Sequence, residues 1–406
     1  MDGHISSEIL NLPGMEISDI KIINNEIHIY VKSSDDNLEC PLCHSNDVYI
    51  HQRYTRHDIR DRAIFDRRCY LHIEEKVIAC NSCGKKPREK FDFIDPSQQQ
   101  TNRFKEYMVG LSSDVNVSSI SVKEDIGYRT VEKILRDYVE RHKLNGLSGA
   151  TRIGIDEFSN KKGHRDFCAV IANLDTGKPI EVLEDRSEKI IRRYLSSIPE
   201  EERLKVLEVS LDMWLSYINL AKEFFPNARI TIDRFHLMMH VNKILNKIRV
   251  KEYKSLTKEQ KESVKNIRWI ILKSSAKLRD EEKVKLKLFF SFAKQSKKAY
   301  YVKEEFVSIM NKITDINKGK KALLDWLQKL IKLKTKKAIS FAKTISKLID
   351  YIVNYFYRNT TNSTLEGIMN KIKSIKRRCF GVPNPYHIAT RIFIAFLPNK
   401  SLYSTM

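Results

Sequence analysis

Three acidic residues stand where their chemistry can be read. Asp156 closes the run RIGID, Asp212 closes VLEVSLD, and Glu366 falls in NSTLEGIMNKIK. The first two each end a short apolar run of β type. The third opens an amphipathic helical stretch 154 residues after the second. Carboxylates at two strand ends and one helix start can converge on one point. The chain also carries a formal net charge of +22. Converging carboxylates in so basic a chain point to a divalent-metal site acting on a polyanion, the machinery that cuts and joins phosphodiesters. Hard oxygen ligands suit Mg2+ or Mn2+ better than zinc.

A different metal chemistry is written nearer the N-terminus. Cys40 and Cys43 form one CxxC, Cys80 and Cys83 another, with 36 residues between the pairs. Each CxxC makes a tight knuckle that sets two thiolates about 2.3 Å from a zinc ion. Four thiolates close a tetrahedron, so a structural Zn2+ is expected there. The start MDGHISSEILNLPG has no basic segment followed by an apolar one. No secretory signal is therefore expected, and disulfides are disfavoured. Cys69, Cys168 and Cys379 stand alone and read as ordinary buried or half-buried residues. No apolar run approaches the roughly 18 residues needed to span a bilayer, so a cytoplasmic protein is expected.

The elements that must position these groups follow from periodicity. In residues 1–95, IKIINNEIHIYV alternates around an Asn-Asn turn and predicts a hairpin, and the stretch between the cysteine pairs is itself strand-like. Residues 96–147 read as helices. Val122, Ile126, Val131, Ile134 and Leu135 follow helix-turn-helix spacing around Gly127, which would put Tyr128, Arg129 and Lys133 at duplex DNA. From residue 148 to 240 the order is β-β-β-α-β-α-β, the topology of the ribonuclease H fold. There the first and fourth strands are neighbours, which lets Asp156 and Asp212 meet. Residues 241–357 read as a lysine-rich, all-helical insertion, and 358–406 as the final helices bearing Glu366. Within 243–350 there are 30 Lys and Arg against 11 Asp and Glu, a net of +19. Phosphate backbones are the commonest partner of such an excess, and an anionic membrane surface the lesser alternative. Lys371, Lys373, Lys376, Arg377 and Arg378 follow Glu366 on one helical stretch and would hold the DNA backbone. Glu157, one residue after Asp156, should face the opposite side of its strand.

The strings IDEFSNKKGH, LDMW, FPNARITIDRFHL and LEGIMNKIKSIKRRCFG resemble the signature blocks of bacterial DDE-type transposases of the ISL-three group. The paired CxxC, the helix-turn-helix and the helical insertion match that group's layout over nearly the whole chain. The resemblance implies Asp156, Asp212 and Glu366 as a Mg2+-binding catalytic triad. Asp233 and His236 match a DxxH element, and a carry-over making Asp233 the second acid stays open beside Asp212. Met369 stands where the group commonly has Asn. The implied activity is nicking at the terminal inverted repeats of an insertion sequence and joining the freed 3′ ends to target DNA. Double-stranded DNA is the implied partner, the bacterial nucleoid the setting, and a homodimer or higher assembly the habit of the group. Two other readings remain: a non-catalytic zinc and helix-turn-helix regulator, and another nuclease of the ribonuclease H fold.

Overall fold

The computed structural model describes residues 10–12, 14–34, 38–143, 146–160, 166–357, 363–378 and 384–397. Cys379 lies outside them. The chain divides into two compact units, Met1–His142 with Leu397–Met406, and Lys143–Phe396.

The first unit is built on a four-stranded sheet. Its strands are β1 (Met15–Ile23), β2 (Glu26–Ser33), β3 (Val48–Ile64) and β4 (Arg67–Cys80), in the order β1-β2-β4-β3. The β1–β2 hairpin turns at Asn24 and Asn25, both at positive φ (51° and 66°), as the Asn-Asn pair predicts. The longer β3–β4 hairpin turns at Phe65 and Asp66, also both at positive φ. One face of this sheet buries Ile29, Val31, Ile59, Leu71 and Ile73.

Three helices follow: α1 (Asn102–Ser112), α2 (Val117–Glu124) and α3 (Tyr128–His142). Thr101 caps α1 and Asn116 caps α2, each through its side-chain oxygen. Asp125, in the left-handed region, stops α2. Val131, Ile134 and Leu135 are buried as the spacing predicts, but Val122 is 81% exposed. The buried positions of α2 are Ile120 and Glu124, four residues apart on one stripe. Val122, two residues from each, lands on the opposite side. The helices are tied to the sheet by polar contacts. Asp61 of β3 accepts from the Thr101 hydroxyl at 2.7 Å and from Arg103 Nε at 2.8 Å, and Arg60 pairs with Glu124 at 3.4 Å.

The second unit holds a five-stranded sheet of β5 (Arg152–Ser159), β6 (Phe167–Asn173), β7 (Lys178–Leu183), β8 (Glu208–Leu211) and β9 (Arg229–Ile232), in the order β7-β6-β5-β8-β9. β5, β6 and β7 pair antiparallel, while β5, β8 and β9 run parallel. Between β7 and β8 lie α4 (Glu188–Ser196) and α5 (Glu200–Leu204), and α6 (Leu215–Phe224) joins β8 to β9. Side chains alternate along each strand and fill two cores. Ile153, Ile155, Ala169, Ile171, Val209 and Leu211 enter a large core that runs on into the helices after β9. Phe158, Cys168, Val170 and Ala172 enter a second core, covered by α14 (Ser363–Arg378) and α15 (Pro385–Phe396).

After β9 the chain is helical: α7 (Arg234–Lys254), α8 (Lys258–Ser263), α9 (Ile267–Leu272), α10 (Asp280–Phe292), α11 (Lys294–Lys312), α12 (Ile316–Ile331) and α13 (Lys336–Val353). Its lysines, apart from the buried Lys303, lie outside an apolar interior that holds Trp326, whose indole N–H donates to the Val302 carbonyl at 2.8 Å. Asn354 returns the chain to the sheet by donating to the Ile230 carbonyl at 2.7 Å.

Candidate active site and cysteine centre

The pairing register sets the acidic site. Gly154 lies opposite Ser210 and Ile155 opposite Leu211, and Leu211 lies opposite Ile232. The next residues along the three parallel strands are Asp156, Asp212 and Asp233. They stand in one row across strands spaced about 4.8 Å apart: Asp212 and Asp233 directly follow the last residues of β8 and β9, and Asp156 lies level with them within β5, which runs on to Ser159.

His236, in the first turn of α7, reaches all three. Its Nδ1 is 3.1 Å from Asp212 Oδ1, and its Nε2 is 3.8 Å from Asp156 Oδ1 and 3.9 Å from Asp233 Oδ2. Burial pushes the Asp156 carboxyl up to about 6, and the neighbouring Asp233 charge adds to it. Burial works in the same direction on Asp212, but the hydrogen bond and charge of His236 outweigh it and hold Asp212 below the ordinary carboxylate range. Burial disfavours the charged imidazole of His236, and the three carboxylates together more than reverse that.

The two candidates for second acid differ in what they already do. Asp233 Oδ1 accepts from the Phe235 N–H at 2.7 Å and caps α7. Asp212 Oδ1 accepts from the Met213 N–H at 2.5 Å, and its side chain is 31% exposed. Asp212 is therefore the more accessible carboxylate.

Glu366 rides on α14, which crosses the same face of β5. A Cβ on Gly154 would meet Leu365 Cδ1 at 2.9 Å, and Lys376 Nζ donates to the Ser159 carbonyl. Eleven residues of helix and five of strand both advance about 16 Å, so α14 runs alongside β5 in the same direction. Lys373 lies close enough to lower the Asp156 proton affinity. Glu366, Asn370 and Lys373 share one helical stripe by their i, i+4, i+7 spacing. Glu366 is exposed. Among the described residues two groups have ligand atoms all within 4.8 Å of one another, the four cysteines and His28–Asp58–His72. Asp156, Asp212 and Glu366 do not form a third. Met369 is buried in the second core, and Lys371 lies 4.2 Å over the Phe396 ring. Arg377 and Arg378 are exposed, as are Tyr128, Arg129 and Lys133 on α3.

Glu157, on the other face of β5, pairs with Arg186 at 2.6 Å. The guanidinium in turn lies 4.1 Å over Phe167 and 4.6 Å over Trp214. Arg186, Phe167 and Trp214, with Tyr217, line a cleft of about 290 Å³. Sequence reasoning did not find this group. Its only signal was Glu157 itself, because its partners come from three separate segments.

The cysteines converge in two matching knuckles. The His44 N–H donates to the Cys40 carbonyl at 3.0 Å, and the Gly84 N–H to the Cys80 carbonyl at 2.9 Å. His44 and Gly84 both adopt positive φ. Across the knuckles, Cys40 Sγ is 3.8 Å from Cys83 Sγ, and Cys43 Sγ is 3.5 Å from Cys80 Sγ. These lengths exclude disulfides. They match the edge of a tetrahedron with four sulfurs about 2.3 Å from its centre, roughly 3.8 Å. The Cys83 N–H donates toward Cys80 Sγ and draws that thiol down to about 7.

A family model described as Transposase, of the ISL-three type, matches residues 153–392, from β5 through most of α15. The chain belongs to the ISL-three family of transposases, and its function is DNA transposition. It is similar to the transposase for insertion sequence element IS1001 of Bordetella parapertussis, 22% identical over 383 residues and covering 92% of each chain. It is also similar to the transposase for IS1557 of Mycobacterium tuberculosis, 21% identical over 287 residues and covering 64% of each chain. Among the described residues no helix is long and apolar enough to cross a membrane.

Proposed function

We propose that this transposase is a DDE-type enzyme with a ribonuclease H-like catalytic sheet, which nicks the terminal repeats of its insertion sequence and joins the 3′ ends to target DNA. The observation that carries this is the row of Asp156 and Asp212 on adjacent parallel strands, with the Glu366 helix laid along the same face. The strand order, with β7, β6 and β5 antiparallel and β5 shared with the parallel β8 and β9, supports the fold reading.

The donor set fits magnesium or manganese, since all three proposed ligands are hard carboxylate oxygens. Asp156, Asp212 and Glu366 would hold such ions. Bound there, the ions would supply Lewis acidity at the phosphodiester and a deprotonated attacking hydroxyl. Asp156 and Asp212 hold ligand oxygens on a rigid sheet. His236 keeps Asp212 ionised and in place, and Asp233 fixes the first turn of α7 that carries His236. Lys376 anchors α14 to β5, while exposed Lys373, Arg377 and Arg378 offer charge to the phosphate backbone.

The four-cysteine cluster is a structural zinc site on this reading, and α1–α3 form a helix-turn-helix with Tyr128, Arg129 and Lys133 toward the duplex. The protein works as a dimer or larger assembly on DNA, as two element ends require. Full-length protein is tested on duplexes carrying the inverted repeats that flank its gene, in Mg2+. Asp156→Asn is expected to bind these ends and cleave none. Nicking by that variant at the wild-type rate would refute the triad.

A further inference from the structure

The polar face of the N-terminal sheet, opposite its apolar core, carries a second cluster of metal-ligating side chains. His28 Nδ1 is 2.9 Å from His72 Nε2, and His57 Nδ1 is 3.1 Å from His72 Nδ1. A ligand atom from each of His28, Asp58 and His72 lies within 4.8 Å of the others. His28 comes from β2, His72 from β4 and Asp58 from β3, which are neighbours in the sheet. His72 is only 5% exposed.

Adjacent residues on a strand should face opposite ways, yet His57 reaches the imidazole of His72 and Asp58 reaches the same cluster. The β3–β4 register breaks between Arg56 and Ile59, and Asp58 adopts φ 56°. This bulge turns both side chains to one face, the re-aiming that bulges perform beside functional sites. Lys21, whose charge reaches His72, is already paired with Asp19 at 3.1 Å.

We propose that His28, Asp58 and His72 form a second metal site, for a borderline first-row divalent ion such as Zn2+. Two imidazole nitrogens and one carboxylate are the ligand types such an ion takes, with a fourth position left for water. A tetrahedron with nitrogens about 2.05 Å from its centre has edges of roughly 3.3 Å, and the 2.9 Å separation of His28 Nδ1 from His72 Nε2 is close to one. Coordination through His72 Nε2 leaves its Nδ1–H to donate to His57 Nδ1. That is the outer hydrogen bond which fixes tautomer and ring orientation in metal-bound histidines. The site is separate from the cysteine centre, since His72 lies eight residues up β4 from Cys80, about 26 Å along the strand. The ion fastens the bulge of β3 to β2 across β4, in the middle of a sheet that the cysteines close only at one end.

The test uses the full chain, stripped of metal under reducing conditions and titrated with Co2+ in excess Mg2+, which occupies hard carboxylate sites. Two equivalents are expected. One brings thiolate-to-cobalt charge transfer, and the other brings only weak visible bands. His28→Gln and Asp58→Asn each weaken the second equivalent by at least about 100-fold, with the thiolate bands unchanged. Uptake of one equivalent by the wild type, or of two by both variants at wild-type affinity, would overturn the site and leave a packed histidine ladder.

Discussion

At the residue scale, the aspartate row separates ligands from supports. Asp212 and Asp233 are both within 4 Å of His236, but only Asp233 caps a helix. Asn caps nearly as well as Asp, so Asp233→Asn should keep α7 intact and retain measurable nicking, whereas Asp212→Asn should lose at least about 1,000-fold, the scale of removing a key electrostatic group. Single-turnover nicking rates with matched melting temperatures check this; equal losses in both would make Asp233 a ligand as well. A second residue-scale case is Asp175, in the β6–β7 turn. It accepts from the Thr151 N–H and hydroxyl at 2.9 Å, from the Arg152 N–H at 3.0 Å and from Arg152 Nε at 2.7 Å. Burial opposes its ionisation, and these donors outweigh that and hold its carboxyl below the ordinary value. A depressed carboxylate contributes stability that is present above the unfolded value near 3.9 and lost as pH falls through the folded one. Asp175→Ala should therefore cost about 1–2 kcal/mol at pH 7, a difference that shrinks as the pH drops below about 4. Urea unfolding at several pH values measures it, and a gap that stays constant into acid would show that the ionised carboxylate contributes nothing.

At the element scale, Gly154 decides how closely α14 can approach β5. Any Cβ there falls 2.9–3.0 Å from Leu365 and Leu174 methyls, and both leucines are in the buried core. Gly154→Val should lift the helix that carries Glu366, costing about 1–3 kcal/mol by overpacking and lowering nicking more than it lowers DNA binding. A variant with wild-type nicking would separate Glu366 from the site. Much of this was legible. The five strands from Arg152 to Ile232 each carry an apolar run bounded by turn residues, and the Asn24-Asn25 turn and the CxxC knuckles are local signals. The sequence showed less where partners are distant. The β3–β4 hairpin turns at Phe65-Asp66, without the glycine that marks such turns, and its bulges interrupt the alternation. Val122 has a core residue's chemistry but faces solvent, because Ile120 and Glu124 set which stripe of α2 packs. The separate boundaries expected at 95 and 147 do not show the buried Asp61–Arg103 and Arg60–Glu124 contacts that join sheet and helices in one unit. Placing α14 against β5 requires knowing that the chain returns to the sheet across a helical segment of more than a hundred residues, and no local spacing encodes that.

At the scale of the whole molecule, the charge is separated from the chemistry. The net of +19 within 243–350 lies on α7–α13, while the acidic row crosses β5, β8 and β9. The positive segment should thus set how tightly DNA is held, with little influence on which sequence is chosen. Lys294, Lys297 and Lys298 are exposed on α11, and each can neutralise one phosphate. Replacing all three by Gln should reduce the slope of log affinity against log salt by up to about 2.7, at roughly 0.9 per phosphate contact. Binding should weaken equally for element ends and unrelated duplex. Arg129→Ala with Lys133→Ala on α3 should do the reverse, narrowing the preference for element ends by about 1–3 kcal/mol per lost base contact while changing the salt slope by little. Titrations of both variants against both duplexes at several salt concentrations give all four slopes. If the α11 variant lost preference and the α3 variant lost only slope, the helix after Gly127 would not be the reading element, and sequence recognition would belong to the helical insertion.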